Sequence, residues 1–146
     1  MISKSAKRTQ EIAKDFAKKI LKNPHNRSGA FVIALKGDLG GGKTTFLQGF
    51  AAGLGVKEKI LSPTFNIYKK YKIKNELNLV YFYHFDCYRI EKPKEVLNLG
   101  FKKIISNSQN IVAVEWAGKI KDILPPSTQW INFDFINKTA RAINFL

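Results

Sequence analysis

The sequence predicts an α/β protein, a three-layer sandwich with a mostly parallel central sheet and additional antiparallel strands. Three observations predict it. Residues 30–35 and 111–114 are unbroken apolar runs of the kind that form strands buried on both faces. Between the first run and a helical pattern lies a glycine-rich segment, Gly37-Asp38-Leu39-Gly40-Gly41-Gly42-Lys43-Thr44. Strand and helix patterns alternate early in the chain, and strands dominate late.

In chain order, residues 7–22 read as an amphipathic helix. Ile12, Ala13, Phe16, Ala17, Ile20 and Leu21 form an apolar stripe, and lysines fill the other face. Thr9 is a candidate cap for its start, and the turn-rich cluster 23–29 ends it. Residues 30–35 are the first buried strand. Gly37, Gly40, Gly41 and Gly42 then let the backbone turn tightly, so that its N–H groups point inward. The helix over 45–54, with Phe46, Leu47, Phe50 and Leu54 at helical spacing, adds its unpaired N–H groups and the positive end of its dipole. Strand, loop and helix together are a phosphate-binding P-loop, which makes the fold P-loop NTPase-like.

Gly55 stops that helix, and residues 61–65, broken by Pro63, are a loop. A more exposed strand follows over 66–71, with Ile67, Lys69 and Tyr71 alternating. A polar turn over 72–78 leads by a hairpin into a strong strand, 78–86. Period-two alternation sets His84, Asp86 and Tyr88 on one face. A short helix over 91–99 carries Pro93 in its first turn and Gly100 after its end, and residues 101–106 read as a further helical turn. The buried strand 111–114 ends in Glu115-Trp116. A short helix over 119–124 is stopped by Pro125-Pro126, and strands over 130–135 and 140–146 flank an Asn137-Lys138 turn.

Length and composition bound the rest. The 146 residues suit one domain, 1–146, and 45% apolar composition supplies a core. No apolar run approaches the about 20 residues of a membrane span, and the first residues lack a signal-peptide pattern. The single cysteine, Cys87, excludes an internal disulfide and suits a reducing compartment. A cytoplasmic protein with no membrane or DNA partner is therefore expected. The net charge of +14 has two readings, a surface for nucleic acid or an acidic partner, and solvated lysine faces. Only Arg8, Arg27, Arg89 and Arg141 are arginines, the balance an A+T-rich genome produces.

A P-loop alone binds nucleotide, whereas hydrolysis needs acids near the phosphates and a positioned water. Lys43 is placed to neutralise the β- and γ-phosphates, and Thr44 to ligate Mg²⁺. Asp86 and Glu115 both end apolar strands, and in a parallel sheet such ends converge on the ligand crevice. Glu115 fits the Walker-B pattern best, with a metal or water role. Asp86 reads either as a second functional acid or as a structural ion-pair residue beside Arg89. Thr64 reads as a switch residue sensing Mg²⁺ and the γ-phosphate, or as a turn residue. His84 reads first as a buried, hydrogen-bonded histidine rather than a catalytic base. Trp116 reads equally as a site cover, a partner contact or a core residue. Asn137-Lys138-Thr139-Ala140 lacks the acid of the guanine-reading motif, so ATP is expected rather than GTP.

The ordered motifs Gly37–Thr45, Ser62-Pro63-Thr64-Phe65, His84-Phe85-Asp86-Cys87-Tyr88-Arg89 and Val114-Glu115-Trp116 strongly resemble the bacterial TsaE (YjeE) family over nearly the whole chain. The resemblance implies an accessory ATPase of threonylcarbamoyladenosine formation in ANN-reading tRNAs. It implies ATP and Mg²⁺ as cofactors, TsaB and TsaD as partners, and tRNA reached through their complex or directly. It implies Lys43, Glu115 and Asp86 as catalytic residues, and Thr44, Glu115 and Asp86 around the metal. The nucleotide set is Asp38, Gly40, Gly41, Gly42, Lys43, Thr44, Thr45 and Thr64, with Thr9 from the N-terminal part and Arg141 near the base. Family members commonly follow Glu-Trp with Pro-Glu, whereas this chain has Ala117-Gly118, so a second acid there is absent. The competing reading is a small-molecule P-loop kinase, which calls for an arginine-bearing lid that the sequence does not display.

Overall fold

The computed structural model describes residues 1–22, 28–38, 42–63, 66–74 and 81–146. Among the described residues seven strands form one sheet in the order β1-β7-β6-β2-β5-β4-β3. They are β1 (Ile2–Ser3), β2 (Phe31–Lys36), β3 (Tyr68–Lys72), β4 (Tyr81–Asp86), β5 (Asn110–Glu115), β6 (Gln129–Phe135) and β7 (Arg141–Phe145). The middle four, β6, β2, β5 and β4, are parallel. The flanks pair antiparallel: β3 on β4 as the predicted hairpin implies, β7 on β6 as the late strand-turn-strand pattern implies, and β1 on β7, a pairing the sequence does not announce.

Alternation along the strands sorts side chains into two layers. On one face Ile33, Leu35, Phe82, Ile111, Ala113 and Ile131 pack under α1 (Ala6–Lys22) and α2 (Lys43–Leu54). On the other, Val32, Ala34, Phe85, Val112 and Val114 pack against α3 (Pro93–Leu97), α4 (Phe101–Ser106) and a 3₁₀ segment (Ala117–Ile123), through Val96, Phe101 and Ile120. Helix–sheet–helix is the expected three-layer P-loop NTPase-like sandwich. Among the described residues no helix is long and apolar enough to cross a membrane.

Several boundaries differ from the sequence reading, each for a local reason. Helix α1 starts at Ala6 because Ser5 caps it, its Oγ accepting from the Arg8 N–H at 3.0 Å. Thr9 is therefore not the cap; it lies inside the helix and is buried. The helix predicted over 91–99 is confined to Pro93–Leu97. Glu95 draws the N–H groups of Glu91 and Lys92 onto its carboxylate, at 2.8 and 2.9 Å, so residues 91–92 form the cap rather than the first turn. The helix predicted over 119–124 is a 3₁₀ segment that begins earlier, at Ala117. The exposed strand predicted from residue 66 begins at Tyr68. Strand β1 is a two-residue pairing onto β7 with no pattern of its own in the sequence. Parts of the 23–29 cluster, the 72–78 turn and residues 78–80 of the predicted strand lie outside the described residues.

Register places the site. Leu35 stands opposite Glu115 and Glu115 opposite Asp86, so the C-terminal ends of β2, β5 and β4 lie side by side. The glycine-rich loop leaves β2 two residues beyond Leu35, at this same C-terminal edge.

Candidate functional site

A cavity of about 620 Å³ opens at this edge. Its wall includes Gly42, Lys43, Thr44 and Thr45 from the start of α2, Ser62 and Pro63 from the following loop, Asp86 and Glu115 from the strand ends, and Trp116, Arg89 and Arg141. The sheet register and the strand–loop–helix connection thus bring six of the sequence-predicted residues around one space: Gly42, Lys43, Thr44, Thr45, Asp86 and Glu115. Arg141, from the far strand β7, joins them. Gly40, Gly41 and Thr64 lie outside the described residues.

Gly42 precedes α2 with φ +93°, a left-handed conformation that favours glycine, and this turns the chain into the helix. Lys43 follows as the first helical residue and is 6% exposed. Its ammonium donates to the Gly37 carbonyl, lies 3.5 Å from the Asp38 carbonyl oxygen, and sits 4.3 Å from the centre of the Trp116 ring. Desolvation holds its pKa below the ordinary lysine value, against the opposing pull of Glu115, Asp86 and Asp38. The Thr44 hydroxyl is 3.4 Å from that of Ser62, so two small hydroxyls face one another at the helix start.

The two acids differ. Glu115 is 4% exposed, and its Oε2 lies 2.6 Å from Nε2 of the fully buried His84. Asp86 is half-buried, and its Oδ1 accepts from the Tyr88 N–H at 3.0 Å. Its pKa is raised, first by desolvation and then by the like charge of Glu115. The Tyr88 hydrogen bond, His84 and Lys43 oppose that shift. His84 is thus the buried, hydrogen-bonded histidine that its sequence position suggests. Trp116 is half-buried, follows Glu115 with φ +57° and packs 5.1 Å from Tyr88, so it forms part of the cavity wall over Lys43.

Arg141 donates from Nη1 to the carbonyls of Asn137 (2.5 Å) and Ala140 (2.9 Å), stacks on Phe135 and passes over Gly42. Its buried Nε has no partner among the described residues. Asp38 presents its backbone carbonyl to Lys43 and lines a smaller neighbouring cleft of about 400 Å³. Thr9 is buried beside Ser3, with their hydroxyls 2.7 Å apart, and it does not reach the cavity wall. Sequence reasoning gave no role to Ser62, although it lies in the quoted Ser-Pro-Thr-Phe string. Arg89 entered only as an ion-pair neighbour of Asp86, and Glu95 not at all, because their place on the wall depends on how the chain turns after β4.

Chemically the wall offers hydroxyl and carboxylate oxygens beside a buried ammonium. No group of three or more His, Cys, Asp or Glu that would hold an ion by itself occurs among the described residues. Hard oxygen donors in small number suit Mg²⁺, which keeps several waters and shares phosphate oxygens, rather than a metal caged by protein alone. Cys87 does not compete as a ligand, because burial pushes its thiol up to about 12.

Comparison with known proteins gives a consistent picture. The family model for "Threonylcarbamoyl adenosine biosynthesis protein TsaE" matches residues 3–143. The tRNA threonylcarbamoyladenosine biosynthesis protein TsaE of Rickettsia typhi is 35% identical over 138 residues, covering 94% of this chain and 87% of that protein. The Bacillus subtilis protein of the same description is 40% identical over 114 residues, covering 78% and 68%. The crystal structure of Bacillus subtilis YdiB superposes with a TM-score of 0.70 at 32% identity, covering 99% of this chain and 82% of that one.

Proposed function

This chain belongs to the TsaE family of threonylcarbamoyl adenosine biosynthesis proteins, and from that membership we propose that it is a slow ATPase that supports threonylcarbamoylation of adenosine in ANN-reading tRNAs by acting on a TsaB–TsaD complex. The observation that carries the ATPase reading is the convergence of Lys43, Thr44, Asp86 and Glu115 on one cavity at the C-terminal edge of the parallel strands.

In this reading the start of α2 and the glycine-rich turn receive the phosphates of ATP. Lys43 exchanges the loop carbonyls for phosphate oxygens and offsets their negative charge. Thr44, Asp86 and Glu115 are the residues that would hold Mg²⁺, which when bound would supply positive charge to offset the negative charge of the phosphates. Glu115 also orients the attacking water. As that water's oxygen bonds to the γ-phosphorus, the bond to the β–γ bridging oxygen breaks, ADP departs with that electron pair, and the water's protons leave on inorganic phosphate, which gives one up to solvent. Arg141, above Gly42 and with a buried Nε that has no partner among the described residues, faces the base side. The lysine-rich surface favours an anionic partner, and tRNA meets it through the TsaB–TsaD complex or by direct contact.

The test is phosphate release by the purified chain, alone and with TsaB and TsaD, for the unaltered protein, Lys43→Ala and Glu115→Ala. The expected result is slow turnover that the partners accelerate. Lys43→Ala weakens Mg-ATP binding, and Glu115→Ala loses turnover more than affinity. Rapid phosphoryl transfer to a metabolite, indifferent to the partners, would instead establish the small-molecule kinase.

A further inference from the structure

We propose that His84 is a positioning residue for Glu115: it fixes one carboxylate oxygen inside the sheet–helix layer and so presents the other to the cavity. This rests on the ATPase reading above and names how its acid is held.

The geometry follows from register. His84 of β4 stands opposite Ala113 of β5, and Glu115 is two residues further along on the same face. The two side chains are therefore diagonal neighbours on adjacent strands, a spacing that long side chains bridge. Ala113 between them carries only a methyl group, which leaves room for the imidazole to lean toward the carboxylate. The contact is 2.6 Å from His84 Nε2 to Glu115 Oε2, and the two side chains are 0% and 5% exposed. A short hydrogen bond from a ring N–H to a carboxylate in a water-poor setting is among the stronger single restraints that a side chain can receive.

Two further observations separate a positioning role from an ordinary buried pair. His84 Nδ1 is buried with no partner among the described residues. The imidazole is thus not woven into a wider structural network, and among the described residues its one hydrogen bond goes to Glu115. An apolar side chain would fill the same layer, beside Phe82 on this face of β4, without the cost of burying a polar ring. The second observation concerns Lys43. Its ammonium shares the cavity wall with Glu115 and feels its charge, yet among the described residues the nitrogen within 4.0 Å of the Glu115 carboxylate is His84 Nε2. A glutamate has three side-chain torsions, and a free one beside a desolvated lysine would turn toward it. Holding Oε2 on His84 keeps the carboxylate off Lys43, leaving Lys43 for the phosphates and Oε1 for the water or metal shell.

The experiment compares His84→Leu, His84→Gln and His84→Asn with the unaltered chain, in the presence of TsaB and TsaD. Phosphate release is measured for kcat and KM, and Mg-ATP affinity by calorimetry. Glutamine places an amide N–H the same number of bonds from Cβ as His Nε2, and asparagine stops one bond short. The expected result is a fall in kcat of about 10- to 100-fold for His84→Leu and His84→Asn, the usual effect of losing a partner that orients a site ligand. Nucleotide affinity stays within about threefold, and His84→Gln recovers most of the rate. In a Glu115→Ala background, His84→Leu has no further effect, because the residue it orients is gone. Should His84→Leu not fold, the contrast of Gln with Asn decides between the same two outcomes. Turnover unchanged in His84→Leu or His84→Asn overturns the role of His84 alone, as does a Gln variant no better than Asn. An unaltered chain with no turnover above that of Glu115→Ala overturns the ATPase reading, and this proposal with it.

Discussion

The contact that seats α2, the helix that follows the glycine-rich loop, is the place where a single methyl group should do most harm. Helix α2 carries two glycines, Gly49 and Gly53, one turn apart and facing α1. A Cβ at Gly49 would lie 2.3 Å from the Gln10 carbonyl oxygen, 2.6 Å from its Cα and 2.8 Å from its carbonyl carbon. All three are backbone atoms of α1, so no side chain can swing aside and the helix axes must separate by roughly 1 Å. Gly49→Ala gains about 1 kcal/mol of helix propensity. Against that, overpacking costs about 1–3 kcal/mol, and backbone against backbone belongs at the upper end. The net is a loss of about 2 kcal/mol, or about 4–8 °C in Tm for a chain of this size. Separation would also strain the 3.1 Å bond from Gln10 Nε2 to Gln48 Oε1 that ties the helices together. Urea unfolding should show a lower midpoint with an unchanged slope. Gly118→Ala is the control, because among the described residues nothing beyond its chain neighbours lies within 4 Å of its added Cβ, and it should stay within about 0.5 kcal/mol of the unaltered chain. A Gly49→Ala protein as stable as the control would refute the close-packed seat. Full Mg-ATP affinity in a destabilised Gly49→Ala protein would show that the seat does not reach the loop.

Two other outcomes follow from the site. Asp86 has a raised pKa, so folding favours its protonated form; its share of stability is full below the ordinary aspartate value and is lost as pH rises through the folded value. Asp86→Asn keeps the Oδ1 acceptor for the Tyr88 N–H and should therefore raise Tm at neutral pH by about 1–3 °C, a gain that thermal melts should see vanish below the carboxylate range, while turnover falls. Trp116 lies 4.3 Å from Lys43, so Mg-ATP should change its emission; Trp130→Phe should retain the change, and Trp116→Phe should lose it.

What was legible in the sequence was local. The P-loop could be read because strand, glycines, lysine and helix are contiguous, and the strand-end acids because apolar runs announce where strands stop. What was not legible depended on partners far along the chain. His84 and Glu115 are 31 residues apart and meet only because β4 lies beside β5 in a particular register. Gly49 looks like a weak point in a helix until α1 is packed on it. Thr9 looks like a cap because Ser5, the true cap, precedes the apolar stripe by several residues. Strand β1 is two residues long and owes its existence to the open edge of β7.

The electrostatics of the cavity bear on which ligand it suits. Lys43 and Asp86 are each displaced against their charged forms, and in both the leading cause is desolvation. Each is also near charges that partly help it, yet neither finds a full partner among the described residues: Lys43 rests on neutral carbonyls, and Asp86 on one backbone N–H. An anion alone would relieve Lys43 but meet Asp86 and Glu115 as like charges. A cation alone would relieve the two acids but meet Lys43. A polyphosphate carrying a divalent cation would relieve both at once. For the proposed substrate, the desolvation cost built into the site becomes selectivity for the metal–nucleotide pair over either component. That is why Asp86→Asn should stabilise the fold while weakening the discrimination between ATP with and without Mg²⁺.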